Sequence, residues 1–284
     1  MFWSLIYNYL RKHGFAAESE LARCSEPENP DQSILFIGNS FTYYGAMPCT
    51  FYKLAKERLP SRELRVFFQG GAGLMLWQHG GSKNTQTTLL NSGKWDIVVL
   101  QEQSEMALSP RSLKRMREGC SWFAKAIRRL GGKPALLMTW CDLDRPEDQV
   151  AISKAYRSLA QELDAILIPA GELFLEVTKK DASVVLYDED KHHPSNHGSY
   201  LVACLTEAIL LLSKDELREL VKKYREPSVT ISQVENCANR DQGDQCASFD
   251  PVEEKLAQYA AEFALRFKSE LGDHGNFPTD NPGA

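Results

Sequence analysis

With 284 residues, 43% of them hydrophobic and 25% charged, the chain has the composition of a folded globular protein and not of a disordered one. That length suffices for one large domain with a substantial core, alone or with an appendage. A net charge of −5 leaves no polyanion-binding footprint, so nucleic acid is not an expected partner, and no apolar run reaches the length of a membrane span.

Residues 1–32 read as an N-terminal extension and linker. Residues 2–10 are apolar and aromatic, and Arg11, Lys12 and His13 follow them. A secretory signal carries its charges before the apolar core and a small-residue cleavage site after it. The order here is reversed, so a short helix packed on the domain is expected instead. Residues 25–32 are polar and punctuated by proline, as a linker is. Residues 34–37 then form a continuous apolar run that stops at Gly38-Asn39-Ser40, which predicts a fully buried strand of a parallel sheet. Gly38 permits a sharp turn, and residues 47–59 have the pattern of a helix. Ser40 thus falls at the carboxyl end of a strand, where open α/β sheets place their ligands, and close to a helix N-terminus with free N–H groups. Taken alone it is either a helix cap or a nucleophile.

Residues 64–68 predict a second strand, followed by Gly70, Gly71 and Gly73. Three glycines there imply close backbone approach or positive φ. The lysine-serine/threonine sequence of a phosphate loop is missing, and so is a dinucleotide fingerprint. Gly71 either closes a tight turn or aims its backbone N–H at a reacting carbonyl. His79, on a possible helix over 74–79, is expected to be a packed or surface residue. Residues 95–100 predict a third strand that runs into Gln101-Glu102-Gln103-Ser104. Gln101 and Gln103 each offer an uncharged amide donor, which suits an oxyanion, or else they tie neighbouring loops together. An amphipathic helix over 110–130, a strand over 134–140, a Pro/Asp-rich loop over 142–148, a helix over 149–163 and a strand over 165–169 follow. Such alternation predicts a parallel α/β sheet with right-handed crossovers.

Asp190 and His193 are three residues apart, so one turn brings them together. A carboxylate on one imidazole nitrogen fixes the tautomer and leaves the other nitrogen to take a proton from a serine. Pro194 stiffens the loop, and residues 199–212 read as an apolar helix. His192, His193 and His197 also raise a metal site, but no His-x₃-His pair on a convincing helix and no Cys/His cluster supports one, and no metal is expected.

Gly38-Asn39-Ser40 after the first strand, Gly71 after the second, an amide after the third and Asp190-x-x-His193-Pro194 near the end together resemble the SGNH (GDSL-type) hydrolase superfamily. The resemblance covers residues 34–212. It is nearest to the branch whose first block reads Gly-Asn-Ser-Phe-Thr and whose third strand ends in Gln-x-x-Ser. It implies a three-layer α/β/α, flavodoxin-like fold around a central parallel sheet, and a serine esterase needing no cofactor. Its substrate would be a small-molecule ester or an acylated carbohydrate. By position, Ser40 would be the nucleophile and an oxyanion donor, His193 the base and acid, Asp190 its orienter, and Gly71 a second donor. The third block departs from the common Gly-x-Asn-Asp. Gln101 matches the branch pattern as the replacement donor, and Gln103 is the alternative.

Residues 33–213 are therefore read as the hydrolase domain and 214–284 as a helical appendage and tail, with a helix over 251–271 and a disordered-looking end over 272–284. Seven cysteines are scattered along the chain; Cys237 and Cys246 are placed to pair, and none shows metal-ligand spacing. Free thiols in a reducing cytoplasm are expected.

Overall fold

The computed structural model describes residues 20–91, 94–225 and 251–271. The expected helix over 2–10, the Cys237–Cys246 pair and the tail over 272–284 lie outside the described residues.

Six strands form one sheet: β1 (Glu20–Ser25), β2 (Gln32–Gly38), β3 (Leu64–Gly70), β4 (Ile97–Leu100), β5 (Lys133–Leu137) and β6 (Ile166–Ile168). Their order across the sheet is β1-β3-β2-β4-β5-β6. From β3 to β6 every pairing is parallel, and β1 alone runs antiparallel, along β3. Counting only the parallel strands, the order is that of the flavodoxin-like doubly wound fold. The centre of the sheet is β2, whose Ile34, Leu35, Phe36 and Ile37 are fully buried. Each such side chain contributes about 1.5–3 kcal/mol by leaving water. A strand covered on both faces has no need to alternate, which is why its sequence is an unbroken apolar run.

Right-handed crossovers fix the layers. The chain moves one way across the sheet from β2 to β3 and the other way from β3 onward through β6. Helix α2 (Met47–Arg58), after the one-turn α1 (Ser40–Tyr43), therefore lies on one face. Helices α3 (Leu76–Gly81), α4 (Lys83–Asn91), α5 (Pro110–Arg129) and α6 (Asp148–Glu162) connect the strands on the other side. After β6 come α7 (Ala170–Lys180) and α8 (Asn196–Leu210), then α9 (Lys214–Arg225) and α10 (Pro251–Glu270). Helix α8 packs against both α2 and α10. It is apolar nearly all round because it is covered on several sides, with Leu201, Val202, Leu205 and Ala208 all buried. Helix α10 lays Leu256, Ala260, Ala264 and Phe267 into the same core as the sheet.

Two expectations are corrected here. Residues 20–25, in what was read as the N-terminal extension, form an edge strand of the sheet, and cysteines are not all free: Cys24 of β1 is disulfide-bonded to Cys49 of α2. The bridge ties the antiparallel strand to the first helix layer. Cys120, Cys141 and Cys204 are buried thiols.

Candidate active site

Ser40 is held by the residues on either side of it. Strand β2 ends at Gly38, and Asn39 takes an extended conformation before α1 begins. The Asn39 side chain caps that turn, its Oδ1 accepting from Phe41 N at 3.1 Å, while its Nδ2 donates to the Leu74 carbonyl at 3.0 Å. From the neighbouring β4, Gln101 reaches across: its Oε1 accepts both from Asn39 N and from Thr42 Oγ1, each at 2.8 Å. A Cβ on residue 38 would stand 2.5 Å from that Oε1 and 2.7 Å from Thr42 Oγ1. Gly38 therefore allows this close approach, and it does so without a positive φ. Ser40 itself is 7% exposed, which leaves its hydroxyl at the floor of the sheet's carboxyl edge.

His193 Nε2 lies 2.9 Å from Ser40 Oγ, across 153 residues of sequence. On the far side of the ring, Nδ1 lies 2.6 Å from Asp190 Oδ2. The other oxygen of that carboxylate accepts from the backbone N–H groups of His192 and His193 at 3.0 and 2.9 Å, so one side chain shapes the turn and orients the ring together. Burial tends to raise the pKa of Asp190, but these hydrogen bonds outweigh it and hold the carboxyl down at about 2. Lys191 takes a left-handed conformation, φ 59°, which lets the turn close in so few residues. Asp188 N to the His193 carbonyl and Ser195 N to the Leu186 carbonyl, both 2.9 Å, lock the loop's base. Tyr44 stacks on the His193 ring with centroids 4.5 Å apart and planes 13° from parallel.

The remaining expected residues sit around this pair. Gly70 pairs in register with Gly38, so Gly71 follows at the same rim as Asn39 and Ser40. Gln101 is buried, and its Nε2 donates to the Glu102 carbonyl while its oxygen holds the Ser40 turn. Gln103 is partly buried; its Nε2 donates to Ser104 Oγ at 3.2 Å and its Oε1 accepts from Glu105 N at 3.0 Å. Glu102, which carried no expectation, is buried and accepts with Oε1 from Leu76 N at 3.0 Å and Gln103 N at 2.9 Å. His79 is packed rather than exposed, its Nε2 2.9 Å from the Gly38 carbonyl. Burial pushes its imidazole down to about 4, so it is neutral and structural.

No family model matches the chain, and no curated protein does. Solved structures do. A protein from Slackia heliotrinireducens assigned to the SGNH hydrolases aligns with a TM-score of 0.53 at 25% identity, covering 64% of this chain and all of that one. The acetylxylan esterase Axe2 from Geobacillus stearothermophilus aligns at 0.54 and 15% identity, over 65% of this chain and 96% of its own. A DUF4886 family protein from Bacteroides uniformis aligns at 0.55 and 17% identity, covering 83% of this chain and 95% of that protein. The chain has the SGNH hydrolase fold.

Beside the Ser40–His193 contact of this SGNH fold stands a second imidazole–carboxylate pair that the sequence did not reveal. His192 Nδ1 lies 2.6 Å from Asp142 Oδ1, and Arg145 grips the other carboxylate oxygen through Nε and Nη2 at 3.2 and 2.6 Å. Partial burial of Asp142 opposes the trend, but His192 and Arg145 hold its carboxyl below the usual carboxylate range. The His192 carbonyl accepts from Trp140 Nε1 at 3.2 Å. Its Nε2 is 3.4 Å from Ser104 Oγ, a long contact. The rings of His192 and His193 meet edge to face, centroids 5.0 Å apart, and Phe41 touches both. Each histidine thus keeps a carboxylate of its own. Among the described residues no group of three or more His, Cys, Asp and Glu side chains is arranged to hold a metal ion.

Proposed function

We propose that the protein is a serine-type carboxylic ester hydrolase. The observation that carries this is the unbroken line from Asp190 through His193 to Ser40, with contacts of 2.6 and 2.9 Å. In this mechanism Ser40 Oγ attacks the ester carbonyl carbon and passes its proton to His193 Nε2. The imidazolium, steadied by Asp190, returns the proton to the leaving alkoxide as the C–O bond breaks. A water molecule, deprotonated by the same nitrogen, then cleaves the acyl-enzyme. The backbone N–H groups of Ser40 and Gly71 are the proposed oxyanion donors. Gln103 is the better placed of the two glutamines to add a third, because its link to Ser104 is exchangeable, whereas Gln101 is drawn inward and holds the turn. An acetyl group on a carbohydrate is the proposed substrate, supported by the fold shared with the acetylxylan esterase. The Cys24–Cys49 bridge favours an oxidising compartment over the cytoplasm.

Hydrolysis of 4-nitrophenyl acetate by the wild type and by Ser40→Ala, with chelator present, tests the reading. Replacement should lower kcat by ~10³-fold or more. Equal rates in the two proteins would overturn the assignment of Ser40.

A further inference from the structure

The pair beside the proposed nucleophile has a direction. In the esterase reading, on which this inference rests, His193 must deliver its proton to the oxygen of the departing alcohol. The alcohol part of the ester therefore lies beside the His193 ring. His192 borders that ring, at 5.0 Å between centroids, and its side chain keeps 30% of its surface exposed. Because Asp142 accepts at Nδ1, the proton of a neutral His192 resides there, and Nε2 presents a lone pair. The donor now facing that lone pair is Ser104, at a length of 3.4 Å that makes only a weak bond. Ser104 in turn is backed by the Gln103 amide at 3.2 Å.

We propose that His192, aimed by Asp142 and flanked by Ser104, selects esters whose alcohol part carries a free hydroxyl near the acylated oxygen. A substrate hydroxyl donates to His192 Nε2 with better geometry than Ser104 does, and accepts from Ser104 Oγ. An alcohol without hydroxyls covers this lone pair without matching it. Arg145 supports the device at one remove. By gripping Asp142 it fixes the carboxylate that fixes the ring.

The test compares two acetates of similar size: a monoacetylated methyl xyloside and cyclohexyl acetate. Its readout is the ratio of their kcat/KM values. The wild type should favour the xyloside, and His192→Phe, which keeps an aromatic ring against Phe41, should cut the ratio by about tenfold, chiefly through KM. Asp142→Ala, remote in sequence from the catalytic turn, should cut it in the same direction. A wild type indifferent to the hydroxyls, or variants whose ratio stays within about twofold of the wild type, overturns the inference while leaving the esterase intact. Activity that survives in Ser40→Ala overturns instead the esterase reading beneath it.

Discussion

At the scale of single residues, the Ser40 turn depends on a buried amide, Gln101. Gln101 satisfies two donors from the Ser40 turn, so Gln101→Leu strands Asn39 N and Thr42 Oγ1 without an acceptor. Each orphaned group costs about 1–3 kcal/mol, and the expected outcome is a lowered denaturation midpoint together with a reduced kcat. Glu102 gives a pH signature. Burial pushes its carboxyl up to about 7 from an ordinary 4.5, and its Oε2 has no partner among the described residues. Between those values the folded protein keeps a proton that the unfolded chain has released. Stability therefore falls as pH rises through that window and levels off above it, by on the order of 3 kcal/mol. Denaturant titrations from pH 4 to 8 should show the slope in the wild type and its loss in Glu102→Gln. The meeting of Ser40, His193 and Asp190 was legible in the sequence because a serine at a strand end and an Asp-x-x-His turn are the residue types and spacing that such contacts need. The contact of Asp142, gripped by Arg145, with His192 was not, since nothing local to residues 142–145 says that a histidine fifty residues later will reach them. Gln101 was noticed as an amide donor, but only the packing shows that its oxygen is the working end.

At the scale of elements, the parallel strands were readable because burial on both faces leaves continuous apolar runs. Helix α7 escaped notice although Leu173, Phe174 and Val177 mark one buried face. Its short length, tucked between a strand and an irregular loop, offers only a few periodic positions. Strand β1 escaped for a different reason. Its sequence, Glu20-Leu-Ala-Arg-Cys-Ser25, is too polar to look like a sheet strand, and edge strands are often so. What holds it is β3 on one side and the Cys24–Cys49 bridge to α2. The bridge closes a span of 25 residues, for which chain entropy predicts a stabilisation of about 3 kcal/mol. Cys24→Ala/Cys49→Ala should lower Tm by roughly 6–10 °C in a thermal melt.

At the scale of the whole molecule, His193 is borne on the loop that leads into α8, and α8 is gripped between α2 and α10. The C-terminal helix is thus part of what places His193, though it is remote from that residue in sequence. Phe267→Ala should cost about 3–5 kcal/mol, read from the shift of the urea midpoint. The Ser40–His193 contact also has a kinetic meaning. It joins the end of the first strand of the parallel sheet to the last loop before α8, across 153 residues of chain. Loop closure over 153 residues makes that contact among the latest to be rewarded in folding. Turnover of a chromogenic ester during refolding would therefore act as a clock for completion of the sheet. Regained activity should lag regained helical signal, and no fragment ending before residue 193 should ever start it.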